Sequence, residues 1–137
     1  MLLMLTLMSF SSKSIEFGTS HETPEYRVEV RGGSAALGER GVIVVSVTGK
    51  DGFEIDESFK HSIKGKGPPS DVQWGQKKLT AENGWISESG ETLTFELPYR
   101  ASRIGEYPLS AKIKSRVCRG EDCKRVGKTV KTKVYVR

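Results

Sequence analysis

The sequence predicts an all-β domain, an antiparallel β-sandwich of about seven strands. Two observations lead to this fold class. Short segments such as Tyr26–Val30 and Thr92–Leu97 alternate apolar and polar residues, which is the two-residue period of a strand with one buried face. Glycine, proline, asparagine or aspartate separates these segments, and no stretch carries the period of an amphipathic helix.

The candidate strands follow one another from residue 26 to the C-terminus. Val42–Thr48 is rich in β-branched residues, as is typical of a central strand, and Gly49–Gly52 supplies turn residues after it. Phe59–Lys64 is a weaker candidate. The others are two short edge segments, Val72–Trp74 and Lys77–Leu79, and the longer Tyr26–Val30, Thr92–Leu97, Tyr107–Cys118 and Thr129–Val136. This number and spacing indicates an immunoglobulin-like sandwich, with a barrel of five or six strands as the main alternative.

The N-terminal 24 residues have a different character from the rest. Met1–Phe10 is an apolar run followed by serines and a lysine, which is typical of the hydrophobic part and cleavage region of a secretory signal. We therefore predict a signal-peptide remnant at residues 1–14, a polar tether at 15–24 and one domain at 25–137. A frayed or buried N-terminal strand is the alternative for the apolar run. Because the run is typical of a secretory signal, we expect a periplasmic or otherwise exported protein. Because the run is too short to span a bilayer, we expect no stable membrane span.

Positive charge is concentrated near the C-terminus. The chain has 22 lysines and arginines against 17 acidic residues, and the excess of basic residues falls in the last two predicted strands. There Lys112, Lys114 and Arg116 alternate with apolar or small residues, as do Lys131 and Lys133, which is typical of one solvated face of a half-buried pair of strands. A surface that binds anionic polymers is the alternative. No aromatic residue is interleaved with these charges, and we expect no nucleic-acid partner.

The two cysteines, Cys118 and Cys123, carry the strongest chemical signal. If Arg119–Asp122 forms a turn, with Gly120 free to adopt a positive φ, the cysteines face each other across an antiparallel pair at a spacing that a disulfide accepts. Two cysteines are too few for a zinc site, and the histidines His21 and His61 are remote in sequence, so we expect no metal and no cofactor. No serine has the motif or a suitably placed histidine for hydrolase chemistry.

The predicted bridge has two interpretations. Exported domains commonly carry structural disulfides, so a stabilising role is the first. The second is thiol-disulfide exchange, because so short a loop constrains the unfolded chain little and because Arg116, Arg119, Lys124 and Arg125 outnumber the nearby acids. Local positive charge favours the thiolate that attacks or leaves in exchange.

The chain from Asp51 onward resembles the N-terminal periplasmic domain of the thiol:disulfide interchange protein DsbD and its stand-alone relatives. The resemblance extends over about 85 of the 137 residues. The segments that carry it are Asp51–Ile55 (DGFEI), Gly67–Val72 (GPPSDV), Leu93–Pro98 (LTFELP), Gly105–Leu109 (GEYPL) and Val117–Cys123 (VCRGEDC). The family often has two prolines shortly after the second cysteine, where Lys124 and Arg125 stand here.

The resemblance implies an immunoglobulin-like sandwich that relays reductant in the cell envelope. Cys118 and Cys123 would be the catalytic pair that cycles between dithiol and disulfide, and the partners would be thioredoxin-like redox proteins. The family shields its disulfide with a loop, for which the segment from Trp74 to Trp85 lies in about the right place. The alternative function is a non-enzymatic immunoglobulin-like envelope or secreted binding module with a structural disulfide. The oligomeric state is not predicted.

Overall fold

The computed structural model describes residues 19–137, so the predicted signal remnant at 1–14 lies outside the described residues. The regular secondary structure of the described chain is all strand except for one 3₁₀ turn at Ala81–Asn83. The strands are β1 (Ser20–Glu22), β2 (Tyr26–Arg31), β3 (Gly33–Ala35), β4 (Gly41–Gly49), β5 (Glu54–Ile55), β6 (Ser62–Gly65), β7 (Val72–Trp74), β8 (Lys78–Thr80), β9 (Trp85–Ile86), β10 (Thr92–Ala101), β11 (Gly105–Arg119) and β12 (Asp122–Val136).

The first sheet has the strand order β1-β2-β4-β10-β7, and β9 also pairs with β10. Its central strand β4 alternates strictly between buried and half-buried positions, as its β-branched sequence predicts. Val28 of β2 lies opposite Val47 of β4, and Phe95 of β10 lies opposite Val45. These side chains form one half of the core.

The second sheet has the order β3-β12-β11-β6-β8, and β5 pairs with the far end of β11. β3 runs parallel to β12, and the other pairs are antiparallel. β11 and β12 form a long hairpin that pairs without interruption from Gly105 opposite Val136 to Arg119 opposite Asp122. From Tyr107 to Val117 the inward positions of β11 are apolar or small, and Lys112, Lys114 and Arg116 lie on its outward face, as do Lys131 and Lys133 of β12, so the predicted solvated face is confirmed. Toward the tip, Arg119, Lys124 and Lys128 lie on the inward side of the hairpin.

The two sheets pack face to face over one apolar core. Its largest buried members include Tyr99, Phe95, Ile43, Ile63 and Ile113. One sheet carries β2, β4 and β10 and the other carries β12, β11 and β6, which is the division of strands in an immunoglobulin-like sandwich. The predicted fold class is confirmed, since the strands of residues 19–137 form two separate sheets and not a closed barrel.

Several strands extend further than the sequence predicts. β12 begins at Asp122 instead of residue 129, because its first half pairs with β11 although it buries few side chains. β10 continues through Pro98 to Ala101, and Pro98 accepts a hydrogen bond from Gly75 through its carbonyl although it has no N–H to donate.

Part of the predicted tether is a strand. β1 pairs with β2 through a tight connection in which Thr23 Oγ1 accepts hydrogen bonds from the backbone N–H groups of Glu25 and Tyr26, each at 3.1 Å. The hydroxyl of a threonine can organise such a turn, and the three-residue strand has too little apolar pattern to be recognised in the sequence. In residues 19–137, no helix is long and apolar enough to cross a bilayer.

Candidate functional site

The tip of the β11–β12 hairpin holds both cysteines. Gly120 and Glu121 form a two-residue turn between the paired residues Arg119 and Asp122. Gly120 adopts φ 61°, a left-handed conformation that glycine reaches without steric cost and that hairpin turns require at this position. The predicted turn at Arg119–Asp122 is therefore confirmed.

The turn places Cys118 directly opposite Cys123, and the two form a disulfide. Their Cα atoms lie 4.0 Å apart, near the spacing of the closer type of antiparallel pair. The bridge lies on the outer face of the second sheet, with Cys118 half-buried and Cys123 exposed. The structure thus brings the two predicted site residues together in the oxidised form and leaves the bridge accessible to solvent.

The basic residues around the bridge are largely engaged elsewhere. Arg116 Nε donates to Asp56 Oδ2 at 2.7 Å, and a second guanidinium nitrogen completes the ion pair. Hydrogen bonds from Ser58 and then from Arg116 lower the pKa of Asp56 to about 2, so this carboxylate is charged at neutral pH. The charge of Arg116 is therefore balanced by a near neighbour.

Arg119 lies on the face of the hairpin opposite the bridge. Its guanidinium stands 4.6 Å from the centre of the Phe53 ring and donates to the carbonyl of Asp51 at 3.0 Å. Lys124, at the same turn, lies 3.7 Å from a carboxylate oxygen of Asp122. These two cations therefore have partners of their own or point away from the sulfur atoms.

An acidic residue stands beside the bridge. Glu54 of β5 pairs with Cys118 from the side opposite Cys123, and both side chains project from the outer face of the sheet. Cross-strand neighbours of this kind have Cβ atoms about 5 Å apart. The charges counted in the local sequence are therefore incomplete, because neither the ion pair of Arg116 nor the pairing of β5 can be seen there.

The segment from Trp74 to Trp85 does not cover the disulfide. Trp74 pairs with Tyr99 and Trp85 pairs with Thr94, so both tryptophans belong to the first sheet. The bridge lies on the outer face of the second sheet. The indole of Trp74 packs against Gly65 at the edge of the sandwich, and Trp85 is 51% exposed.

A buried histidine–serine pair was missed by the sequence analysis. His61 is 2% exposed and Ser115 is fully buried, and Nδ1 of the imidazole lies 2.8 Å from the serine Oγ. The only sequence signal is the position of Ser115 on the inward face between Ile113 and Val117, where a polar residue needs a partner. Because neither side chain is accessible to a substrate, the pair stabilises the interior instead of forming a nucleophilic site.

Within residues 19–137, no three histidine, cysteine or acidic side chains lie together in a way that could hold a metal ion.

The comparisons with known proteins concern structure only. No family model and no curated protein matches the sequence. One similar solved structure is AggA, the major subunit of aggregative adherence fimbriae type I from Escherichia coli, at 12% identity and a TM-score of 0.44, covering 88% of this chain and 95% of that one. A second is the CooA pilin subunit from enterotoxigenic Escherichia coli, at 16% identity and a TM-score of 0.32, covering 80% and 98%.

A third is a PapD-like domain of human CEP192, at 11% identity and a TM-score of 0.35, covering 100% of this chain and 95% of that domain. These are likenesses of overall fold at low identity.

Proposed function

We propose that this protein is a non-enzymatic, immunoglobulin-like module of the cell envelope or extracellular space, and that its disulfide is structural. The observation that carries this proposal is the setting of the bridge. Glu54 stands beside Cys118, and Arg116 and Lys124 each face a carboxylate. Of the four nearby cations, Arg125 is the one with no ion pair among residues 19–137, and its guanidinium stands 5.9 Å from the centre of the Phe59 ring. A cysteine pair with this setting has little unbalanced positive charge to stabilise a thiolate.

Catalytic exchange needs a thiolate that attacks or leaves at neutral pH. A neighbouring carboxylate raises the pKa of a thiol, because it disfavours a second negative charge nearby. A bridge in this setting is a poor acceptor of electrons, and its thiols exchange slowly at neutral pH. An exposed disulfide also persists only in an oxidising compartment, which supports the exported location.

The bridge has a modest stabilising role to fill. Closing a loop of about six residues removes conformational freedom from the unfolded chain worth about 2 kcal/mol. This stabilisation is smaller than that from a bridge between distant strands. The bridge provides it at the exposed end of a long hairpin, where few side chains of β12 are buried.

Thiol-disulfide exchange in the cell envelope, as in the DsbD-like domains, is the second candidate function. The observation that favours it is the accessibility of the bridge at a hairpin tip, where Cys123 is exposed. In that case Cys118 and Cys123 would pass reductant to oxidised protein partners, with thioredoxin-like proteins as donors.

The equilibrium of the cysteine pair in glutathione buffers distinguishes the two functions. The purified protein is equilibrated at defined ratios of reduced to oxidised glutathione, its thiols are trapped, and the fraction reduced is measured by mass spectrometry. A bridge that stays closed below about −300 mV supports the structural role. A bridge that opens well above that potential and exchanges rapidly refutes it and favours the relay.

A further inference from the structure

A groove lined by lysines crosses the outer face of the second sheet. We call it the lysine groove. β6, β8 and β11 form its walls, and Ser62, Gly65 and Gly67 are its only lining residues that carry no charge. Its six basic members are Lys64, Lys66, Lys77, Lys78, Lys112 and Lys114.

The strand register sets three of these lysines side by side. Lys64 of β6 lies directly opposite Lys112 of β11 on one side and Lys78 of β8 on the other. Adjacent strands are about 4.8 Å apart, so three ammonium-bearing side chains leave the sheet within about 10 Å. Like charges directly opposite each other destabilise a sheet. The folded protein therefore carries an electrostatic cost at this row.

No carboxylate offsets that cost in the part of the chain that the structure describes. The ion pairs of residues 19–137 include none of the six groove lysines, and no aspartate or glutamate lines the groove. The basic residues at the hairpin tip, by contrast, have acidic neighbours. A ligand with repeated negative charges would remove the repulsion within the row.

The floor of the groove is held in place from the opposite side. Trp74 Nε1 donates to the carbonyl of Lys66 at 2.7 Å, and its indole ring packs against the inner side of Gly65. Gly65 and Gly67 contribute only backbone, so the lysine side chains flank an open channel. The groove is therefore a preformed surface and not a set of independent side chains.

We propose that the lysine groove binds an anionic polysaccharide, with sulfate or carboxylate groups as the charges that the lysines contact. This inference rests on the proposed function, because it names the ligand of the exported module. Among the described residues, no aromatic side chain on which a nucleic-acid base could stack lines the groove. The disulfide indicates a compartment in which glycans, and not nucleic acids, are the common polyanions.

Heparin oligosaccharide of defined length is the probe, and its affinity is measured by titration calorimetry at two salt concentrations. The test variant is the double substitution Lys64→Gln and Lys112→Gln, which removes two opposed lysines of the groove. The matched control is Lys60→Gln with Lys124→Gln, two exposed lysines outside the groove with the same change in net charge. We expect the test variant to weaken heparin binding at least tenfold and the control less than threefold.

Thermal unfolding with and without heparin shows whether the test variant loses binding because it no longer folds. Because the test variant relieves like-charge repulsion, we expect its Tm without heparin to be no lower than that of the parent. Heparin should raise the Tm of the parent and the control but not of the test variant. If the test variant fails to fold, Lys66→Gln with Lys77→Gln replaces it in both measurements.

Three results overturn the proposal. The first is absence of heparin binding by the parent at low salt, and the second is equal weakening by the test and control variants. The third is tighter binding of a single-stranded oligonucleotide, or of phosphatidylglycerol vesicles, than of heparin at matched charge.

The redox equilibrium of the cysteine pair is a readout independent of heparin binding. If the bridge is labile but the test variant alone loses heparin binding, only the structural role of the disulfide is refuted. If the bridge is stable but the parent does not bind heparin, only the proposed ligand of the lysine groove is refuted.

Discussion

His61 and Ser115 meet inside the sandwich, where Nδ1 of the imidazole lies 2.8 Å from the serine Oγ. The other ring nitrogen, Nε2, lies 2.7 Å from the carbonyl oxygen of Asp56. Since a carbonyl can only accept, Nε2 carries a proton, and in the neutral imidazole Ser115 donates its hydroxyl to Nδ1. These two contacts join β11 to the connection between β5 and β6.

We predict that the protein loses stability below about pH 6.5. Burial lowers the pKa of His61 from its ordinary value of 6.5, against the attraction of Asp56 and together with the repulsion of Arg116. The neutral form is thus favoured in the folded state. The contribution of neutral His61 to the free energy of unfolding is therefore complete above the pKa of histidine in the unfolded chain. It decreases as the pH falls below 6.5, because the unfolded chain then binds a proton that the folded protein resists. Urea unfolding between pH 7.5 and pH 5 measures this decrease.

His61→Gln and His21→Gln form the matched pair for that measurement. We expect His61→Gln to lower the free energy of unfolding at pH 7.5 and to flatten its pH dependence. His21, which lies near the surface in β1, should leave the dependence unchanged when it is replaced. The two variants behaving alike would contradict the prediction. The pKa of Asp56, at about 2, adds a further loss of stability only below about pH 4.

A second prediction concerns the contact between Gly65 and Trp74. A Cβ at residue 65 would lie 2.4 Å from Cε2 of the indole, so Gly65→Ala must displace the ring or the strand. Such overpacking costs about 1–3 kcal/mol. Gly67→Ala is the control, because a Cβ there meets nothing within 4 Å. Urea unfolding should show a large loss for the first variant and a change within about 0.5 kcal/mol for the second.

The strands with clear alternation could be predicted from the sequence, and the short ones could not. Val42–Thr48 and Tyr107–Cys118 have long runs of inward apolar residues, which specify both the strand and its buried face. β3, β5 and β9 have two or three residues each and owe their pairing to neighbours distant in the chain. The first half of β12 has exposed, charged residues and is a strand because β11 pairs with it.

A third prediction concerns removal of the disulfide. Cys118→Ala with Cys123→Ala should lower the free energy of unfolding by at most about 2 kcal/mol and leave the fold intact. Chemical reduction of the parent should produce a shift of the same size. The free energy is measured by urea unfolding at pH 7.5. An unchanged stability in both experiments would mean that the bridge stabilises nothing, and would count against a structural role.

A fourth prediction concerns the acidic neighbour of the bridge. With the protein reduced, Glu54→Gln should lower the pKa of the Cys118 thiol, because a nearby negative charge is removed. The rate of alkylation by iodoacetamide at pH 7 should rise by at most about threefold, because a single charge acts weakly in a solvated setting. Glu57→Gln, an exposed acidic residue outside β5, is the control. Equal rates for the two variants would show that Glu54 does not influence the thiol.

The candidate site was predictable in its covalent chemistry but not in its electrostatics. The spacing of Cys118 and Cys123 around a glycine turn was enough to predict the bridge. The neighbours that modify it come from elsewhere in the chain, since Asp56 pairs with Arg116 across 60 residues and Glu54 arrives on a separate strand. Side-chain pairing over such distances depends on the strand order of the sheet, which a count of nearby charges does not contain.

The covalent link between Cys118 and Cys123 also has a consequence for how the hairpin finds its alignment. A slip of one residue between β11 and β12 would exchange the inward and outward faces of one strand, which would bury Lys131 and expose Val130. The tip of the hairpin has few buried side chains to oppose such a slip. Once the bridge has formed, only the native alignment of the two strands is reachable, so oxidation early in folding would select the correct pairing before the two sheets dock.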